Sequence, residues 1–108
     1  MNTKADTDRN MQIAETILQQ MGGAGRLVAM TGAKNFMMDG PALSFKFPNR
    51  PKGRPNYCKV TLDPSDTYTV TFGRIVKWDL RLVETFTGIY CDGLVDLFEI
   101  KTGLYLSL

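Results

Sequence analysis

The feature of this sequence that most constrains its fold is a regular alternation of apolar and polar residues in the middle of the chain. Apolar side chains occupy every second position in two runs, residues 58–62 and 68–72, which the turn-forming sequence DPSD separates at residues 63–66. A period of two places alternate side chains on opposite faces of a β-strand. The two runs therefore predict an antiparallel hairpin with one buried face.

Three further segments are predicted to be strands. Residues 43–47 show the same alternation and end at Pro48, which cannot donate to a sheet ladder. After Gly73, which we interpret as a bulge position, residues 78–82 alternate again in a strand that ends near Phe86 or Thr87. The short apolar run at residues 27–31 is predicted to be a strand as well.

Two amphipathic stripes predict helices near the ends of the chain. The first begins after Thr7 or Asp8, has apolar residues at helical spacing between positions 11 and 21, and ends at the glycines in positions 22 and 23. The second starts near Tyr90 and ends before Gly103. Residues 1–6 are polar, and we predict a disordered tail there.

Residues 7–108 are predicted to form one α+β domain, because 108 residues are too few for two cores. We expect an antiparallel meander sheet of four or five strands, with the N-terminal and C-terminal helices on one face. The opposite face would carry Thr67, Thr69 and Thr71, and this open face is a second place to expect a ligand.

The amino-acid composition excludes several classes of catalytic and metal site. The chain contains no histidine, which excludes Ser-His-Asp and Cys-His nucleophilic sites and most zinc sites. Glu99 and Lys101 have the spacing of a nuclease motif, but residues two apart on a helix do not face one another. We therefore expect a non-enzymatic protein with no cofactor and no metal site, and we expect Cys58 and Cys91 to be buried thiols.

No apolar run approaches the ~20 residues that cross a bilayer, so we expect a cytoplasmic protein without membrane contact.

Charge is unevenly distributed along the chain. Residues 40–62 include no acidic residue and five positive charges, although the net charge is only +2. Prolines and glycine within residues 49–56 predict an exposed loop. The predicted binding residues are Lys46, Arg50, Lys52, Arg54, Tyr57 and Lys59.

These residues suggest two functions. In the first, the cations bind the phosphates of a nucleic acid while Tyr57 stacks on a base, and Arg74, Lys77 and Arg81 extend the same patch. In the second, the same loop contacts an acidic surface of a protein partner. A monomer and a homodimer are compatible with both functions.

Several short blocks carry a family resemblance: MTGAKNF at residues 30–36, LSFK at 43–46, NY at 56–57, FGRI at 72–75 and TGLY at 102–105. They resemble a family of small uncharacterised proteins from bacteriophages and other bacterial mobile elements. The resemblance implies a role in replication, recombination or conflict with host defences. It implies no catalytic residues, since the family has no assigned activity. The basic loop of this chain differs from the family pattern in length and composition.

Overall fold

The computed structural model of the chain describes residues 4–48 and 54–106. These residues form three helices, five strands and one short 3-10 turn. In chain order they are α1 (Lys4–Gln20), α2 (Ala24–Thr31), β1 (Lys34–Met38), β2 (Ala42–Lys46), β3 (Tyr57–Leu62), β4 (Tyr68–Val76), β5 (Asp79–Ile89), the 3-10 turn (Cys91–Gly93) and α3 (Leu94–Thr102).

The strands form one antiparallel meander in which each strand pairs with its neighbours along the chain, in the order β1-β2-β3-β4-β5. The hairpin predicted from the central alternation is β3 and β4, with Val60 opposite Val70. The α+β class, the antiparallel meander and the two terminal helices are thus confirmed.

The core lies between one face of the sheet and the helices. Phe45, Val60 and Phe72 on this helix-covered face are buried, as are Ile17 of α1 and Phe98 of α3. All five belong to a single apolar cluster. Burial of this continuous surface favours the compact state, at roughly 25 cal/mol per Å² of apolar area. The other face of the sheet, the open face, carries Lys46, Lys59, Thr69 and Thr71 among others.

The prediction of a strand at residues 27–31 was wrong. These residues form most of α2, in which Leu27 and Thr31 are buried one turn apart and the Thr31 hydroxyl donates to the Leu27 carbonyl. A short apolar run fits a buried strand and a buried helix turn equally well, so its length alone does not decide between them. The first strand is instead β1, and α1 begins at Lys4, inside the segment predicted as a tail.

Other local predictions were confirmed. The backbone N–H of Gly23 donates to the Leu18 carbonyl at the end of α1, and Gly103 closes α3 in the left-handed conformation with φ 73°. The register of β4 and β5 shifts between Phe72 and Gly73, where the bulge was expected. None of the helices in residues 4–48 and 54–106 is long and apolar enough to cross a membrane.

The hairpin of β4 and β5 extends beyond the rest of the sheet. Tyr57, the first residue of β3, pairs with Gly73, so the following residues of β4 have ladder partners on β5 only. The last ladder pair is Val76 with Asp79, which leaves Lys77 and Trp78 as a two-residue turn. We call residues 74–81 the arm.

Candidate functional site

One end of the sheet, the loop end, brings together side chains from β1, β2, β3 and β4. Lys34 lies opposite Lys46, Lys46 opposite Tyr57, and Tyr57 opposite Gly73. Cross-strand partners share a face of the sheet. Strand β2 ends and β3 begins at this end, and the arm projects from it. Lys46 and Tyr57, both predicted as binding residues, are therefore neighbours on the open face.

The pair Lys34 and Lys46 borders a shallow depression of about 280 Å³ at the loop end. Two like charges directly opposite each other on neighbouring strands repel, which costs stability unless a counter-charge lies near. No acidic residue is among the described residues that line the depression. They are Lys34, Lys46, Phe47, Pro48, Asn56 and Ile75. An anionic group bound here would relieve the repulsion.

Lys59 lies on the open face but is engaged within the molecule. Its ammonium donates to Asp39 Oδ2 at 2.9 Å. This hydrogen bond and the opposite charge lower the pKa of Asp39 and raise the pKa of Lys59. The carboxylate's contribution to stability is therefore present above the unfolded-state pKa of aspartate and is lost as the pH falls through the lowered folded-state value. Lys59 is less available to an anion than Lys46.

Arg54 also has an internal contact. Its Nη1 lies 3.4 Å from the carbonyl oxygen of Ile100 and 3.5 Å from that of Lys101, at the C-terminal end of α3. A guanidinium at this position is stabilised by the unpaired carbonyls and the helix dipole. Since Arg54 remains exposed, it adds positive charge to the loop end. The other two predicted cations, Arg50 and Lys52, lie outside the described residues.

Tyr57 packs across a glycine. A Cβ atom built on Gly73 would lie 3.3 Å from Cδ2 of Tyr57 and 2.9 Å from Cδ1 of Leu80. One side of the ring is thus placed over the backbone of β4, and Tyr57 is half-buried. This packing leaves the Tyr57 ring less free to stack on a base than the sequence interpretation assumed.

Asn56 anchors the end of the loop to the base of the arm. Its side-chain amide donates to the Ile75 carbonyl at 3.1 Å and accepts from the Ile75 N–H at 2.7 Å. In addition, its backbone N–H donates to the Gly73 carbonyl. The amide thereby supplies the two hydrogen bonds that another strand residue would give, and it fixes where the loop meets β4.

The arm carries three more cations: Arg74, Lys77 and Arg81. Arg74 lies opposite Arg81 in the ladder, a second pair of like charges. Arg81 Nε contacts Asp79 Oδ2 at 3.3 Å, and both side chains are largely exposed, so this ion pair contributes little to stability. Nε of Arg74 is buried without a hydrogen-bond partner in the described part of the chain. Buried polar atoms of this kind are uncommon and need an explanation.

Acidic residues lie at the opposite end of the sheet, the turn end. Asp63 and Asp66 belong to the turn between β3 and β4, where the Thr69 hydroxyl donates to Asp63 Oδ2 at 2.7 Å. Asp39 precedes β2 at the same end, since its N–H donates to the Ala42 carbonyl. Three aspartates therefore lie at the turn end, at the opposite end of the strands from Lys34 and Lys46.

Two residues of the loop end were missed by sequence reasoning. Lys34 lies in a strand that we did not predict, because its sequence, KNFMM, has no alternation of apolar and polar residues. Trp78 was assigned to a strand, whereas it lies in the turn and is 98% exposed. The sequence gives no signal for this two-residue turn, since Lys and Trp do not normally favour positive φ.

In residues 4–48 and 54–106, no three His, Cys, Asp or Glu side chains come together as metal ligands. Glu99, the acidic member of the nuclease-like spacing, accepts a hydrogen bond from the Leu106 N–H at 2.8 Å and so holds the C-terminal segment. Leu106 is buried in the core beside it.

A comparison of the chain with known protein families, curated proteins and solved structures finds no match.

Proposed function

We propose that this protein binds nucleic acid at the loop end of its sheet. The observation that supports the proposal most directly is the position of Lys34 opposite Lys46. The two lysines border a depression, and none of the described residues that line it is acidic. A polyanion would neutralise both lysines and release its condensed counterions, which is the main source of free energy in phosphate-backbone binding. The exposed cations of the arm extend the positive surface away from the sheet.

The cations contribute unequally to the proposed binding surface. Lys34, Lys46 and Lys77 take the central role in contacting phosphates, while Lys59 contributes less because Asp39 already neutralises it. Arg54 supports the site from the end of α3. The remaining loop cations, Arg50 and Lys52, keep the role given to them by the sequence hypothesis.

A salt titration tests the proposal. Binding of labelled single-stranded and duplex DNA would be followed by fluorescence anisotropy at several salt concentrations. We expect the double variant Lys34→Gln/Lys46→Gln to bind more weakly. The slope of log affinity against log salt should become shallower by about 1.4 for single strands or about 1.8 for duplex DNA, since two phosphate contacts are lost.

Arg9→Gln is a control in which one positive charge is removed at the turn end. Arg9 lines depressions shared with Leu62, Tyr68, Asp63 and Asp66. The slope should not change in this variant, although the net charge does. The proposal fails if the unmodified protein binds neither DNA at low salt, or if the double lysine variant has an unchanged slope.

A second candidate function is a protein-interaction factor. It is favoured by β5, an 11-residue strand that ends the sheet order and pairs only with β4 in the described part of the chain. A free strand edge can accept an extended segment of a partner through main-chain hydrogen bonds. Capture from a host lysate before and after nuclease treatment distinguishes the two functions. A stoichiometric protein partner that resists the nuclease supports the second function.

A further inference from the structure

Trp78 is the most exposed large apolar side chain of the described residues, and it lies at the tip of the arm. Its side chain is 98% exposed. Burial of an indole normally stabilises a fold, because tryptophan removes a large apolar area from water. At this position the ring contributes almost no such burial, so the stability of the fold does not explain why tryptophan occupies the turn.

The backbone at the tip also disfavours the residues found there. Lys77 and Trp78 have φ values of 50° and 72°. A two-residue turn with positive φ at both positions is the type preferred by Asn-Gly, because glycine lacks the Cβ atom that crowds this conformation. Conformations that are strained in this way cluster at functional sites. The Lys-Trp pair therefore combines backbone strain with an exposed ring.

The surroundings of Trp78 indicate the chemistry of a ligand. Lys77 precedes it, Asp79 follows it and forms an exposed ion pair with Arg81, and Arg74 lies opposite Arg81 further down the arm. The ladder gives the arm two different faces: Ile75 and Leu80 form an apolar pair on one, and Arg74 and Arg81 lie on the other. A flat aromatic ring among cations matches a ligand in which planar π-systems alternate with negative charges.

We infer that Trp78 is a base-stacking residue and that the preferred ligand is single-stranded nucleic acid. The inference rests on the proposed function and specifies its substrate class. Bases in a duplex are stacked on one another, whereas a single strand offers free base faces to an aromatic side chain. Trp78 takes the stacking role first assigned to Tyr57, whose ring lies across Gly73.

Trp78 is the single tryptophan of the chain, so the intrinsic fluorescence of the protein reports directly on this side chain. The emission of the full-length protein would be recorded while oligo(dT) is added, and then while heparin, a polyanion without bases, is added. We expect oligo(dT) to quench the emission strongly and heparin to leave it nearly unchanged, even where anisotropy shows that heparin binds. A duplex of the same length should bind more weakly and quench less than the single strand.

Variants at position 78 complete the test. Trp78→Ala should weaken oligo(dT) binding by roughly 5- to 150-fold, the range of one lost stacking contact. Trp78→Phe should retain most of the affinity. Trp78→Gly removes the ring while it relieves the positive φ, so it should fold at least as well as the unmodified protein. A loss of affinity in Trp78→Gly therefore cannot be attributed to misfolding.

The outcomes separate this inference from the proposed function. If no nucleic acid binds at low salt, both are wrong. The inference is wrong, and the proposed function stands, if DNA binds but two results are negative. These are full affinity in Trp78→Gly and no change in the emission of the unmodified protein on binding. Equal quenching by duplex DNA overturns the preference for single strands. Emission changes with vesicles of anionic lipid but not with oligo(dT) would show instead that the tip contacts a membrane surface.

Discussion

Gly73 shows how closely single residues are fitted at the loop end. A Cβ atom there would lie 2.9 Å from Leu80 Cδ1 and 3.1 Å from the Arg81 carbonyl oxygen. We therefore expect Gly73→Ala to lower the free energy of unfolding by about 1–3 kcal/mol, since backbone and side chains must shift to make room. Chemical denaturation followed by circular dichroism measures the change.

Gly25 provides the matched control. It lies in α2, and among the described residues no atom lies within 4 Å of a Cβ atom added to it. Gly25→Ala should raise the free energy of unfolding by up to about 1 kcal/mol, because alanine favours the helix. Equal effects of the two substitutions would contradict the packing described around Gly73.

The two cysteines differ in their surroundings, which corrects the expectation that both are buried. Cys58 is fully buried in β3, and burial raises the pKa of its thiol, whereas Cys91 is exposed. The thiolate is the nucleophile that attacks a thiol-labelling reagent, so a buried thiol with a raised pKa reacts slowly. We predict that the folded protein reacts rapidly with one equivalent of a thiol-labelling reagent and the unfolded protein with two. Cys91→Ser should abolish the rapid reaction, and its persistence would count against this assignment.

At the scale of elements, the turn of the arm has a backbone conformation that its two residues, Lys77 and Trp78, do not favour. Positive φ costs an L-residue roughly 1–2 kcal/mol. The double variant Lys77→Asn/Trp78→Gly installs the residues that the turn prefers. We predict that it raises the free energy of unfolding by about 1–2 kcal/mol while it weakens binding to oligo(dT).

The control for the arm is Lys77→Ala/Trp78→Ala, which removes the same side chains but keeps the strain of positive φ. Its stability should not increase. Calorimetry or urea denaturation of both double variants gives the comparison. If the Asn-Gly variant is no more stable than the Ala-Ala variant, the turn is not strained in the way that φ of Lys77 and Trp78 indicates.

At the scale of the whole molecule, the core joins residues from both ends of the described chain. Ile13 of α1 and Leu106 of the C-terminal segment belong to the same apolar cluster. Leu106→Ala should therefore lower the free energy of global unfolding by about 2–5 kcal/mol, the cost of a cavity in a packed core. Its exposed neighbour is the control: Tyr105→Ala should change stability by less than about 0.5 kcal/mol.

The exposure of Trp78 limits the use of its fluorescence to follow unfolding. Trp78 is nearly fully exposed in the folded protein and is exposed again on unfolding, so its emission should change little through the transition. Far-ultraviolet circular dichroism reports the helices and the sheet instead. A large emission change that accompanies unfolding would show that Trp78 is buried in the folded protein.

Much of the fold was predictable because its signals are local. The alternation along β3 and β4 and the glycine at the end of α3 depend only on residues close in the chain. The sequence is therefore enough to predict these strands and the end of this helix. The run at residues 27–31 was misassigned because a segment of that length has no decisive period. The arm turn was missed because Lys and Trp are not residues that normally favour positive φ.

The sequence alone determined the hairpin pattern, the two amphipathic terminal helices and the concentration of positive charge between residues 40 and 62. Only the tertiary structure decided which cations are free to bind. Asp39 neutralises Lys59 from 20 positions away and α3 holds Arg54 from 46 and 47 positions away, while Lys34 and Lys46 meet across a ladder. Charges interact through space rather than along the chain, so the partner of each cation is fixed only when the strands pair and the helices pack.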